Sequence, residues 1–201
     1  MKLYLAGPEV FLEDAREIGA RKKALCAAYG FTGLYPLDPA GLEANDSRAG
    51  AAIFAANLDL MRQADVILAN LTPFRGIGAD AGTAFELGFC HGLGKPVAAY
   101  SAVPGELKHR ALAAIGIADA APEASGESGP ILLADGCQVE DFGHFDNLML
   151  AEAVLAGGLA VVTADEAAAD PLRDLTVFEQ ALAALADARG RGALAVTGAG
   201  T

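Results

Sequence analysis

Residues 65–71 read DVILANL, and no other stretch constrains the fold as much. The run offers no polar face, so a strand built from it must be covered on both sides. Strands of that kind belong to parallel sheets, where crossover helices lie over both faces. The next residues, TPFRGIGADAG, form a loop with Gly76, Gly78 and Gly82 around Asp80, and a helical run, TAFELGFCHGLGKP, follows. A strand, a glycine-containing loop and a helix in that order make most of a βαβ unit. The loop lies at the carboxyl end of the strand, where open α/β sheets bind their ligands.

The same alternation runs through the chain. Residues 2–6 (KLYLA) predict a strand stopped by Gly7-Pro8. Residues 12–29 interleave charges with Ile18, Ala24 and Leu25, the pattern of an amphipathic helix closed by Gly30. Further strands are expected at 31–36, 97–100, 131–134 and 159–163, and further helices at 51–64, 104–117, 147–156 and 175–189. The helix after the central loop is expected to open near Thr83 and close at 94–96. Residues 37–50 and 119–130 are polar and read as loops. The expected fold is α/β, with about five strands in a mainly parallel sheet between helices. The 201 residues suffice for one domain with a real core. That domain is placed at 1–190, followed by a flexible glycine-rich tail at 191–201.

A net charge of −12 opposes sequence-independent binding to nucleic acid, which needs cations for the phosphates, and disfavours an anionic membrane. Cys26, Cys90 and Cys137 are odd in number and far apart, and His91, His109 and His144 are scattered. Neither a disulfide framework nor a metal site is suggested. The start lacks the pattern of a signal peptide, and no apolar run is long enough for a transmembrane helix. A soluble, cytoplasmic protein is expected.

Several residues admit two readings. Thr83-Ala84-Phe85-Glu86 fits a capping box, in which Glu86 reaches back to the start of its helix. Phe85, Leu87, Phe89 and Cys90 also make this helix apolar nearly all round. Glu86 would then be a buried first-turn carboxylate, kept ionised by the helix N-terminus and able to attack a sugar anomeric carbon. Asp80 is either a turn or N-cap aspartate or a hydrogen-bonding group for a nucleobase or sugar. Asp59 is either a solvated helix charge or part of the same site. Tyr4 can be an ordinary sheet tyrosine, and Asn147 an ordinary helix-start asparagine. The GxGxxxG spacing departs from the dinucleotide fingerprint, and Asp80 within it would repel a pyrophosphate. The glycines read instead as points where the backbone turns sharply and approaches a ligand.

YLAGPEVF at 4–11, NLDLMRQADVILANLTPFRG at 57–76, ADAGTAFELGFCHGLGKPV at 79–97 and FDNLML at 145–150 together resemble the nucleoside 2-deoxyribosyltransferase family. The resemblance implies a flavodoxin-like, Rossmann-like three-layer sandwich with five parallel strands. It implies transfer of a 2-deoxyribosyl group between nucleobases through a covalent intermediate on Glu86. Tyr4 would orient that nucleophile, while Asp59 and Asp80 would contact the nucleobase and supply the proton that the departing base needs. Asn147 would be donated by a neighbouring subunit to the 5′-hydroxyl end of the sugar. Gly7, Phe11, Gly82 and Met149 are expected beside it as substrate-binding residues, with Phe11, Phe74 and the 37–50 loop as candidate walls of the pocket. The implied partners are a nucleoside and a free nucleobase, in a homodimer or larger homo-oligomer with shared sites. No metal or organic cofactor is implied.

Two other functions fit the same residues. One is hydrolysis of nucleosides or deoxynucleoside 5′-monophosphates with water as acceptor. Glu9, in the turn after the first strand, would repel a phosphate and so favours unphosphorylated substrates. The other is a non-catalytic nucleotide-sensing domain.

Overall fold

A computed structural model of the chain describes residues 1–39, 49–114, 131, 136–159 and 161–194. Its elements are β1 (Lys2–Ala6), α1 (Ala15–Ala28), β2 (Thr32–Leu34), α2 (Gly50–Gln63), β3 (Val66–Asn70), α3 (Ala81–Gly92), β4 (Val97–Ser101), α4 (Leu107–Ala114), α5 (Leu148–Ala156), β5 (Val161–Thr163) and α6 (Thr176–Gly190). The polar stretch 119–130 and all but the first residue of the expected strand 131–134 lie outside the described residues.

The five strands form one parallel sheet in the order β2-β1-β3-β4-β5. This is the expected α/β sandwich. The order reverses direction between β1 and β3, and such a switch point opens a crevice at the carboxyl ends of the two strands. Tyr4 lies opposite Ile67 across that pair.

Strand alternation assigns each side chain to a layer. Leu3 and Leu5 of β1 and Leu68 of β3 join Ile18 and Cys26 of α1 and Phe178 and Leu182 of α6 in one core. Tyr4 and Ala6, with Ile67 and Ala69, point the other way and pack with Met61 of α2, Leu87 and Cys90 of α3, and Val154 of α5. β3 is buried along its whole length, as its apolar run requires. Leu194 is buried in the first core, so packing continues past the end of α6. No helix among the described residues is long and apolar enough to cross a membrane.

Several boundaries differ from those expected, and two of the shifts have a clear local reason. α1 starts at Ala15 because Pro8–Phe11 first forms a 3-10 turn. α3 starts at Ala81, with Asp80 as N-cap in an extended conformation (φ −59°, ψ 136°). Asp and Thr both make good N-caps, and the expected opening near Thr83 chose the wrong one of the two.

Candidate active site

Tyr4 is fully buried in the middle of β1. The alternation of the strand turns its ring toward α3, where its hydroxyl donates to Glu86 Oε1 at 2.5 Å. That length lies in the range of a hydroxyl bonded to an ionised carboxylate. Residues 82 positions apart in the sequence thus meet at the β1–β3 switch point.

Asp80 prepares the other half of the pair. Its Oδ2 accepts the Thr83 amide at 3.0 Å and the Thr83 hydroxyl at 3.3 Å. A side chain at Gly82 would put its Cβ 2.9 Å from the same oxygen, so glycine there makes room for the cap. With Asp80 as cap, Glu86 is the sixth helical residue and not part of the first turn. The Thr83–Glu86 capping box is therefore absent, and Glu86 is free to meet Tyr4. Thr83 and Cys90, three residues before it and four after, are buried on the same helix face.

The electrostatics differ from the first-turn reading as well. The favourable field of a helix N-terminus falls off within the first turn. Burial dominates at Glu86 and pushes its carboxyl from 4.5 up to about 7. The Tyr4 hydrogen bond opposes the rise, and the nearby Asp80 charge adds to it. Burial and the Glu86 charge hold the Tyr4 phenol well above its ordinary range, so Tyr4 remains the donor. The result is a positioned carboxylate that is substantially ionised near neutral pH, as a nucleophile requires.

Phe11 and Phe74 come from the turns after β1 and β3. Their rings stack with centroids 5.4 Å apart and planes 11° apart. The Arg75 guanidinium lies 4.9 Å from one ring and 4.6 Å from the other. Arg75 has φ 54°, the left-handed region, and is the sole non-glycine residue to do so among the described residues. Arg75 takes the left-handed position in a bend that runs through residues 75–78, and Gly76 and Gly78 lie in the same bend without entering that region.

Asp59 stands elsewhere. It is exposed on α2 and paired with Arg62 at 2.9 Å. Phe54, Asn57 and Met61 share one stripe of α2. Phe54 lies 5.9 Å from Phe85 of α3, and Met61 packs with Leu87 and Cys90. Asn57 therefore faces α3, and its Oδ1 is buried with no hydrogen-bond partner. Asp59, two residues on, is turned about 200° away. The sequence reading passed over Asn57, although its place in an apolar stripe was visible.

Asn147 caps α5, with Oδ1 accepting the Met149 amide at 3.1 Å and Nδ2 donating to Glu140 at 2.5 Å. The Met149 side chain is exposed. Within one chain neither is joined to Glu86 by a hydrogen bond.

Gly7 serves a buried carboxylate. A Cβ there would fall 2.0 Å from Glu9 Oε2. Glu9 is buried, pairs with the equally buried Lys22, and accepts from Asn70 at 2.8 Å and Tyr100 at 3.0 Å. Its charge is neutralised inside the fold, so the expected repulsion of a phosphate loses its basis. Lys22 follows Ile18 and precedes Cys26 on the buried stripe of α1. A lysine in that stripe was the available signal for the pair.

The open groove of about 690 Å³ between α1 and the start of α6, lined by Arg21, Asp174 and Glu179 among others, holds no residue of the site. Among the described residues, no three His, Cys, Asp or Glu side chains group as a metal site would need.

The family description "Nucleoside 2-deoxyribosyltransferase" matches residues 3–149, which spans Tyr4, Asp80 and Glu86. The chain belongs to that family. It is an enzyme, as the other members of the family are. A solved 2-deoxyribosyltransferase from Leishmania mexicana is 28% identical, covers 92% of this chain and 97% of its own, and superposes with a TM-score of 0.61. An uncharacterized protein of Schizosaccharomyces pombe is 32% identical over 184 residues, which are 86% of this chain and 87% of the relative. A 2-deoxyribosyltransferase from Bacillus psychrosaccharolyticus is 27% identical over 50% of this chain and 72% of its own, with a TM-score of 0.40.

Proposed function

We propose that this enzyme moves a 2-deoxyribosyl group from one nucleobase to another through an ester on Glu86. The observation that carries this reading is the 2.5 Å bond from Tyr4 to Glu86 Oε1 at the switch point of the sheet. One carboxylate oxygen is fixed by the phenol, and the other can attack the anomeric carbon. The C1′–O bond forms as the C1′–N bond breaks, and the base leaves with a proton. A second base then attacks C1′ and displaces Glu86. Two inversions give net retention.

Of the two aspartates expected at the departing base, Asp80 stands beside the nucleophile, where it can relay to the base a proton taken up from solvent. It caps α3 through Oδ2, and Oδ1 accepts no hydrogen bond among the described residues. Asn57, with its unpaired buried oxygen, replaces Asp59 in this reading as the α2 group that meets the base. Phe11 and Phe74 form the apolar wall. A second copy of the chain would cover the exposed Phe54 and Phe85 on α2 and α3 and would bring its Asn147 and Met149 to the sugar. A reaction of this kind returns free bases to deoxynucleosides, a salvage role in the cytoplasm.

Incubation with deoxyinosine, with and without adenine, tests the reading. New deoxyadenosine with adenine present is the expected product. Equal hypoxanthine in both tubes identifies a hydrolase instead. The pairing of Glu9 with Lys22 removes the objection to a phosphorylated substrate, so deoxynucleoside 5′-monophosphates belong among the substrates to be assayed.

A further inference from the structure

Away from the reacting pair, one arginine ties three loops together. Arg110, on α4, has a side chain only 13% exposed. Its Nε donates to the Ile77 carbonyl at 2.8 Å, its Nη1 to Gly105 at 2.9 Å, and its Nη2 to Phe145. The guanidinium carbon lies 4.4 Å from the centroid of the Phe145 ring.

Asp146, the next residue, is buried. Its Oδ2 lies 3.8 Å from Arg110 Nη2 and accepts the Ala79 amide at 3.0 Å. Its Oδ1 accepts the Asn147 amide at 2.7 Å. A Cβ on Gly78 would stand 3.3 Å from that Oδ1, so glycine permits the approach. Residues 77–79 are thus held by a carbonyl to Arg110 and by an amide to Asp146. The following residue is Asp80, whose carboxylate starts the helix that carries Glu86.

We propose that Arg110 and Asp146 form a clamp that fixes Asp80 and the first turn of α3, and thereby the aim of Glu86. They are positioning residues that touch no substrate, and their catalytic consequence rests on the deoxyribosyl transfer proposed above. A guanidinium presents five donors in a rigid fork, which suits it to holding carbonyls on separate loops, and lysine cannot reproduce that geometry. A group displaced by about 1 Å from its reacting geometry loses roughly 100-fold in rate. A loosened 77–79 segment has that leverage.

The test compares Arg110→Ala, Arg110→Lys and Asp146→Asn with the wild type. Arg110→Ala should lower kcat by about 10- to 100-fold, with KM within about threefold, on the displacement argument above. Added guanidinium should restore part of that loss, and Arg110→Lys should fall between the two. The pH profile should also move. Glu86 is faced by Tyr4 from β1, Asp80 from the loop and Cys90 from its own helix. A displaced Asp80 charge should shift the acid limb of the profile to lower pH. Hydrogen exchange at the Ala79 and Thr83 amides should quicken in Arg110→Ala, and to a smaller extent in Asp146→Asn, while β3 and β4 stay protected.

A folded Arg110→Ala with the kcat and pH profile of the wild type overturns the proposal. So does a lower Tm with unchanged turnover per folded molecule and unchanged protection at Ala79 and Thr83, which marks a purely structural arginine. If the wild type turns over no nucleoside, the functional reading fails, and the exchange measurement alone decides the clamp.

Discussion

Tyr4→Phe removes one hydroxyl and the 2.5 Å bond that it donates to Glu86. A hydrogen bond to a charged group contributes about 1.5–3 kcal/mol. At 1.36 kcal/mol per pKa unit, its loss should raise the Glu86 carboxyl by roughly 1–2 units. The wild-type carboxyl stands at about 7, with the Tyr4 bond already lowering it against burial. In the variant it should titrate at roughly 8–9. In the proposed reaction the carboxylate is the attacking form, so activity should rise with pH through this pKa. At pH 7 the ionised fraction should fall from about one half to roughly 1–10%, with a loss of roughly 5- to 50-fold in kcat/KM. Most of that loss should return by about pH 9.5, where the variant carboxyl is again ionised. The assay is kcat/KM for deoxyinosine with adenine as acceptor, measured across this range. A loss equal at every pH would mean that Tyr4 only orients Glu86. A profile shifted to lower pH would refute the assigned direction of the hydrogen bond.

Further expectations follow from the same geometry. Glu86→Gln should abolish transfer and yet stabilise the protein at high pH. The folded pKa of Glu86 is raised from 4.5 to about 7. Its contribution to stability is therefore full below about pH 4.5 and is lost as pH rises through 7. The variant should gain up to roughly 3 kcal/mol over the wild type near pH 8.5 and almost nothing near pH 4.5, as read by urea unfolding. Lys22→Met leaves Glu9 buried without its cation, which should cost about 3–5 kcal/mol and lower Tm by roughly 6–20 °C in a thermal melt. Asn57→Ala should weaken nucleoside turnover by at least about tenfold, equivalent to roughly 1.4 kcal/mol. Asp59→Asn, at an exposed ion pair, should stay within about 0.5 kcal/mol of the wild type in stability and keep its activity. Equal losses in the two variants would return Asp59 to the site.

Much of the fold is legible in the order of apolar runs. DVILANL had to be a covered strand, and the alternation in β1 had to send Tyr4 to one layer and Leu3 and Leu5 to the other. The meeting of Tyr4 with Glu86 was legible through the family resemblance, because no local rule joins residues 82 positions apart. What escaped was decided by tertiary contacts. Asp80 and Thr83 are both competent caps, and the extended backbone at Asp80, with room above Gly82, selects the first. Asn57 and Asp59 differ by two positions, enough to put one against α3 and the other in solvent. Glu9 looked like a charge facing a ligand because its partner, Lys22, lies on the buried stripe of the next helix. Arg110 gave no sign at all, since its hydrogen bonds go to backbone carbonyls on three separate loops.

Formation of an ester between Glu86 and the sugar can be read directly from the mass of the peptide that contains Glu86. The enzyme is mixed with deoxyinosine without an acceptor base, quenched in acid and digested. The account predicts a mass increase of one deoxyribosyl group on the peptide that contains Glu86, lost when adenine is added and absent in Glu86→Gln. Steady turnover with no adduct on that peptide, or an adduct on another residue, would contradict it.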